Sequence, residues 1–430
     1  MHYSSNLSLQ LSGVLMAIDF ELSEHQRKLQ ADARAFAQKW LKGVREQMQG
    51  LDSAGRFELT RPAYTAAVEA GYLKLQIPEP LGGSMESLLD LAIVAEELIA
   101  VESSVPLSLL STGLGLMGLL FFGNPEQHSR FLPLFTSGKG APLAGLSFSE
   151  PHGTANYHNT NPSLGFKTSA ALKADNWVIN GRKIWTPHAA GWDGKHADLL
   201  AVAARVDLSL PPQQSLSMFL VPGDTPGISI EKNIETVGQP GAEVCIVNFD
   251  NVSIPKENII GGVGDGILIS ETAFTATAGL VGIMAVGVAR HAFEIALEFA
   301  RNDSRGGSGP IIQHQNVSTI LSDMKARIEA ARYLSWKALW NFGASEGRHL
   351  ELPILNKVFS SELMISVITD AMRVVGVESY KESNQLMSLL QDAMAYPLFD
   401  GGNVGVRRLQ LQRIMSGKDY NPMDAAEGNF

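Results

Sequence analysis

Residues 165–185 read GFKTSAALKADNWVINGRKIW. Short runs of apolar, β-branched and aromatic residues here flank turn residues, and Asn180-Gly181 between two such runs predicts a tight hairpin. The same texture continues through 198–206 (DLLAVAARV), 216–223 (LSMFLVPG), 227–233 (GISIEKN) and 245–254 (CIVNFDNVSI). It predicts a small β-barrel or sandwich over residues 141–260.

The flanks read differently. Upstream, 22–41 (LSEHQRKLQADARAFAQKWL) has apolar residues at helical spacing behind a serine N-cap. In 61–75 (RPAYTAAVEAGYLKL), Pro62 suggests a helix start. Helical runs at 88–101 and 125–138 follow, the latter ending at a glycine stop. Downstream, 266–303 (GILISETAFTATAGLVGIMAVGVARHAFEIALEFARND) reads as one long helix and 310–342 as another. The expectation is an α+β multidomain chain: an extension at 1–18, a helical domain at 19–140, the β domain at 141–260 and a helical domain at 261–430. Strands and helices do not alternate, so a doubly wound parallel sheet is not expected.

The chain has 430 residues, 45% hydrophobic and 18% charged, with a formal charge of −10. It is acidic and has no Lys/Arg-rich run, which argues against nucleic acid or an anionic membrane as partner. The single cysteine, Cys245, cannot close an intramolecular disulfide, and reads as a buried thiol of a reducing compartment. Residues 1–17 lack the basic residues of a secretory or transit leader. The location expected is therefore cytoplasmic. Residues 103–125 carry no charge and reach membrane-spanning length, but Pro106, several glycines and the lack of basic flanks favour a helix buried in a bundle.

GxSxG, HExxH and P-loop motifs are absent from the sequence, and His152 and His158, the closest histidine pair, fall in a probable loop. No metal is expected. The glycine-rich residues 261–266 lack GxGxxG spacing and read as an entry to the long helix.

Two clusters suit chemistry. LSFSEPHGTAN (146–156) gathers hydroxyls and backbone donors on a turn after a strand. It suits a ligand rich in acceptors, such as a flavin edge or pyrophosphate, but equally a polar surface turn. In YPLFDGGNVGVRRLQLQRIM (396–415), Asp400 precedes Gly401-Gly402 and a helix, with Arg407 two turns further on. A carboxylate beside a cation stays ionised, as a proton-abstracting base must, but Asp400 could also be an ordinary helix cap.

The helical–β–helical order with Ser149-Glu150-Pro151, the Asn180-Gly181-Arg182-Lys183-Ile184-Trp185 strand (NGxKxW), Ile312-Gln313-His314-Gln315 ahead of Asp323-Met324, and Asp400-Gly401-Gly402 resembles the acyl-CoA dehydrogenase superfamily. Asp400 stands where that superfamily has the glutamate of a Glu-Gly-Thr. Segments 80–88, 149–157, 183–199, 304–315 and 396–408 are most similar to its nitroalkane oxidase branch, whose base is an aspartate. Many acyl-CoA dehydrogenases carry an arginine near the start of the long C-terminal helix, whereas residues 274–279 (FTATAG) have none.

The resemblance implies a C-terminal four-helix bundle and FAD held by Leu146, Ser147, Phe148, Ser149, Thr154, Ala155, Asn156, Trp185, Thr186, Pro187, Gly401 and Gly402. It also implies adenosine-diphosphate contacts from a neighbouring subunit through Arg305, His314, Gln315 and Arg373, hence at least a dimer and, by family habit, a homotetramer. Pro187 departs from the family, which has a hydroxyl residue there near flavin N5. The catalytic residues implied are Asp400, Arg407 and Thr277, the last where the branch has serine. The activity implied is oxidation of a neutral nitroalkane by molecular oxygen to an aldehyde or ketone, nitrite and hydrogen peroxide. The alternative is dehydrogenation of an acyl-CoA thioester with an electron-transfer flavoprotein as acceptor.

Overall fold

The computed structural model describes residues 21–151, 157 and 159–427; the extension 1–18 lies outside the described residues. Helix α1 (Glu24–Trp40) starts at the predicted serine. Ser23 Oγ accepts the Gln26 amide and Gln26 Oε1 accepts the Ser23 amide, a reciprocal cap. After α2 (Val44–Gln47) comes α3 (Ser53–Glu69). Pro62 lies inside α3, not near its start. Asp52 sets the start by accepting the Gly55 amide at 2.8 Å, and the helix tolerates the missing N–H of the proline further in.

α4 (Leu88–Ile99), α5 (Ser104–Phe122), α6 (Pro125–Phe131) and α7 (Pro133–Thr136) complete the N-terminal helices.

The middle domain holds β1 (Ala144–Ser147), β2 (Ser169–Lys173), β3 (Asn176–Pro187), β4 (Leu199–Arg205), α8 (Pro212–Ser215), β5 (Leu216–Pro222), β6 (Ile228–Asn233), β7 (Val244–Pro255) and β8 (Ile259–Ile260). The sheet order is β6-β7-β3-β2-β4-β5-β8, with β1 parallel to β4 and Ser147 opposite Val202. The Asn180-Gly181 hairpin is not formed. The chain turns at Ala174-Asp175, where Ala174 takes φ 52°, and β3 runs straight through Asn180-Gly181. Gly181 meets a packing need instead: a Cβ there would lie 2.4 Å from Thr168 Oγ1, and the register with β7 slips beside it. Cys245 is buried, its thiol 3.2 Å from Asn233 Oδ1, and burial pushes its pKa up.

The C-terminal domain contains α9 (Gly266–Asn302), α10 (Gln315–Ala344), α11 (Glu351–Val375), α12 (Gln385–Ala393), α13 (Arg408–Met415) and α14 (Asp424–Glu427). α9 is its axis and packs on α10, α11, α4 and α5. Both α5 and α9 are long and apolar enough to cross a membrane, yet 61% and 89% of their most apolar windows are buried within the protein, as in core helices.

Buried charges join the outer domains. Glu96 on α4 accepts Arg290 of α9 at 2.8 Å and Arg332 of α10 at 2.9 Å, while Glu97 accepts Arg34 and Arg290. Removing one partner of such a pair typically costs about 3–5 kcal/mol, which fixes the relative placement of these helices. The architecture is thus helical at both ends around a sheet domain, as the sequence order predicts.

Candidate active site

The chain between α12 and α13 makes an unusual reversal. Asp400, Gly401 and Gly402 take φ of 52°, 89° and 63°, all left-handed. Residues Gly402–Arg407 then form a π-helical turn, a geometry that recurs at functional sites. Asp400 is a non-glycine residue in this region, at a cost of roughly 1–2 kcal/mol that its surroundings must offset. Gly401 has to be glycine: besides its φ, an added Cβ would press to 3.2 Å from Arg407 Nε.

The reversal turns the carboxylate of Asp400 inward, with 5% of the side chain exposed. One oxygen, Oδ1, accepts the Thr277 hydroxyl of α9 at 3.0 Å; the other, Oδ2, accepts Arg407 Nη2 at 3.1 Å. Arg407 is fully buried and spreads its fork over four acceptors. Nε donates to the Asp400 carbonyl at 2.9 Å, Nη2 also to the Phe274 carbonyl at 2.8 Å, and Nη1 to Gln410 Oε1 at 3.0 Å. The Thr277 proton is shared, since the Ala273 and Phe274 carbonyls each lie 3.2 Å from its oxygen. An anion held this way has lone pairs left to take a proton from a ligand in front of it.

The second cluster lies against the first. Leu146, Ser147 and Phe148 are buried where β1 ends, and the Ser149 carbonyl accepts the Ile184 amide at 2.9 Å. Lys183 and Glu150 from the two sequence motifs form a buried pair at 2.8 Å; Lys183 also donates to the Phe148 carbonyl at 3.0 Å. Glu150 in turn accepts the Lys167 and Thr168 amides at 2.6 and 3.0 Å. Burial would raise the Glu150 carboxyl, but the Lys183 cation and the hydrogen bonds from Lys183, Lys167 and Thr168 together outweigh it and hold it below the ordinary range. This pair explains why both motif residues are needed: together they brace the turn after β1. The Phe148 ring then meets Phe274 of α9 edge-on at 5.2 Å, and the Phe274 carbonyl is the one that Arg407 binds. The turn and the Asp400 carboxylate are therefore linked through Phe274 and Arg407.

The acyl-CoA dehydrogenase N-terminal, middle and C-terminal domain models match residues 23–139, 145–252 and 264–416. This chain belongs to the acyl-CoA dehydrogenase family. Among its relatives, the nitroalkane oxidase of Fusarium oxysporum is 40% identical, covering 96% of this chain and 98% of that protein. A structure from work on the roles of an arginine and an aspartate in the reaction of the flavoprotein nitroalkane oxidase superposes with a TM-score of 0.91 at 39% identity, covering 96% of this chain and 100% of that one. A nitroalkane oxidase with an aspartate-to-asparagine active-site substitution, crystallized with 1-nitrooctane, gives 0.90 at 38% identity over the same shares.

Trp185, two residues before the end of β3, takes a left-handed conformation (φ 60°) with 53% of its surface exposed. Thr186 is buried and its hydroxyl is 3.3 Å from Ser147 Oγ, so that hydroxyl is already engaged, and Pro187 beside it has no N–H. Thr154, Ala155 and Asn156 lie outside the described residues. Arg305, His314, Gln315 and Arg373 lie elsewhere. Arg305 donates to the Val375 carbonyl, Arg373 pairs with Asp370 at 2.7 Å, and His314 and Gln315 open α10 on the surface. Among the described residues, none of these four bonds to Asp400, Arg407 or Thr277.

A cleft of about 790 Å³ between α1, α9 and α12 is lined by none of the residues singled out from the sequence. Sequence reasoning missed Lys357 and Asn403, both buried behind Asp400. Their signal was the polar pair Asn356-Lys357 within the otherwise apolar run LPILNKVF (352–359) and an asparagine three residues after Asp400.

Proposed function

We propose that this chain is an FAD-dependent oxidase acting on neutral nitroalkanes, with Asp400 as the base. The observation that carries the reading is the Asp400 carboxylate, nearly buried and held on one oxygen by Thr277 and on the other by Arg407. The described residues suit a flavin. The Trp185 indole, 53% exposed and next to the Ile184 amide that bonds the Ser149 carbonyl, offers an uncovered aromatic face, which suits an isoalloxazine. Leu146, Ser147, Phe148 and Ser149, with Thr154, Ala155, Asn156, Trp185, Thr186, Pro187, Gly401 and Gly402, are the proposed flavin contacts. Arg305, His314, Gln315 and Arg373 are proposed to serve the adenosine diphosphate across a subunit contact.

When bound, FAD supplies the two-electron acceptor. Asp400 takes the α-proton, and the nitro group spreads the charge left on carbon. Arg407 keeps the carboxylate aimed and charged, and Thr277 steadies its other oxygen. Nitroalkane, water and molecular oxygen then balance as an aldehyde or ketone, nitrous acid and hydrogen peroxide. The proposed assembly is a cytoplasmic homotetramer. It is supported by the apolar side chains Tyr333, Trp340, Leu355 and Phe359 left exposed on α10 and α11, and by a lone unpaired thiol.

The test is Asp400→Asn. The variant should keep its flavin absorbance but lose roughly 10²–10⁴ in the anaerobic rate of flavin reduction by 1-nitrooctane. A near-normal rate would sink the assignment. Aerobic nitrite and peroxide from the wild type, with no bleaching by acyl-CoA thioesters, separates this reading from an acyl-CoA dehydrogenase.

A further inference from the structure

Behind Asp400 lies a buried ammonium that the mechanism above does not use. Lys357 of α11 is 0% exposed. Its Nζ donates to Asn403 Oδ1 at 2.8 Å and reaches the Tyr396 carbonyl at 3.3 Å. Those two residues bracket the loop that carries Asp400. The Asn403 side chain passes the hold on, donating to Ser361 Oγ at 3.0 Å and to Glu362 Oε1 at 3.1 Å on the same helix. Its own amide closes the loop on the Pro397 carbonyl at 2.9 Å.

Among the described residues, both hydrogen-bond acceptors of Lys357 are neutral. A clamp of this shape could be built from uncharged groups without desolvating a cation, which is costly unless anions stand near. The anions near it are Asp400 and Glu362, and burial still pulls the ammonium down to about 8. The charge therefore has a reason beyond holding the loop.

We propose that Lys357 is a positioning residue for Asp400, pinning both ends of its loop and placing a buried positive charge behind its carboxylate. The inference rests on Asp400 being the base. The other charged and polar groups around this loop are Thr277 from α9, Arg407 from the π turn, and Glu362 of α11, itself paired with Arg408 at 2.8 Å. Glu271 of α9 accepts the Tyr157 hydroxyl at 3.2 Å, and Arg407 and Arg413 act electrostatically on that same tyrosine.

The experiment compares Lys357→Met, which removes the charge, with Asn403→Ala, which loosens the clamp and leaves the charge. Both are purified as holoenzyme and profiled for kcat/KM against pH with 1-nitrooctane. The expected result is a tenfold or greater loss in both variants. The acid limb should move to higher pH by half a unit or more only in Lys357→Met. Lys357→Arg should restore the wild-type position of that limb, and it carries the test alone if Lys357→Met does not fold. A Lys357→Met profile that overlays wild type overturns the proposal, as does a Lys357→Arg limb displaced like that of a neutral variant. The outcomes are separable: a wild-type holoenzyme that releases no nitrite refutes the nitroalkane reading. In that case the Lys357 proposal is decided by a pH titration of the resting flavin spectrum, with Asp400→Asn as reference. It fails if Lys357→Met leaves the Asp400-dependent transition in place.

Discussion

Arg407→Lys keeps the charge beside Asp400 and removes the fork. In the wild type the guanidinium reaches the Asp400 carbonyl, Asp400 Oδ2, the Phe274 carbonyl and Gln410 Oε1 at once. A lysine ammonium has three donors at a single point on a more flexible stem and cannot span acceptors on both sides of the site. At least one charge-assisted bond to Asp400 is lost, worth about 1.5–3 kcal/mol. If that loss falls on the transition state, the rate drops by roughly 10- to 150-fold. The assay is anaerobic stopped-flow reduction of bound flavin by 1-nitrooctane, with the flavin-to-protein ratio measured on the same sample. The left-handed Asp400 backbone also loses a brace, so the melting temperature should fall with the rate. A variant that holds its flavin and is reduced within twofold of the wild-type rate would refute the claim that fork geometry, and not charge alone, positions the base.

Two further outcomes follow from the same geometry. Thr277→Val keeps the shape but loses the 3.0 Å bond to Asp400 Oδ1, so flavin reduction should slow about tenfold or more, while Thr277→Ser stays close to wild type; equal rates for the two would remove the hydroxyl from the mechanism. His188 is buried beside the Ala144 carbonyl, and burial lowers its pKa to about 4. Its contribution to stability is complete above the unfolded value near 6.5 and fades as pH falls toward 4, so urea unfolding should show a loss of about 2 kcal/mol between pH 7 and pH 5 that His188→Gln abolishes.

Local signals made much of this protein legible without coordinates. The Ser23 cap, the long, largely apolar run of α9 and the short β-branched stretches each depend on residues a few positions apart, so the type of each element is legible locally. Asp400 and Arg407 were also within local reach, being two helical turns apart. Asn180-Gly181 misled because a glycine that favours a turn locally was required by Thr168, a residue from another segment. Pro62 misled because the Asp52 cap, not the proline, begins α3.

Convergence was decided by packing alone. Thr277 of α9 bonds Asp400, Phe274 of α9 binds Arg407 and packs on Phe148 from the turn after β1, and Lys357 of α11 holds Asn403 in the Asp400 loop. Sequence periodicity tells which face of a helix is buried, but not which distant side chain lies opposite it. The Glu150–Lys183 brace and the Lys357–Asn403 clamp exist only once buried charges from separate elements have no water left and must find one another. The chain's own order of residues determined the elements and set Asp400 and Arg407 within local reach of each other; the folded core determined what holds that carboxylate in place.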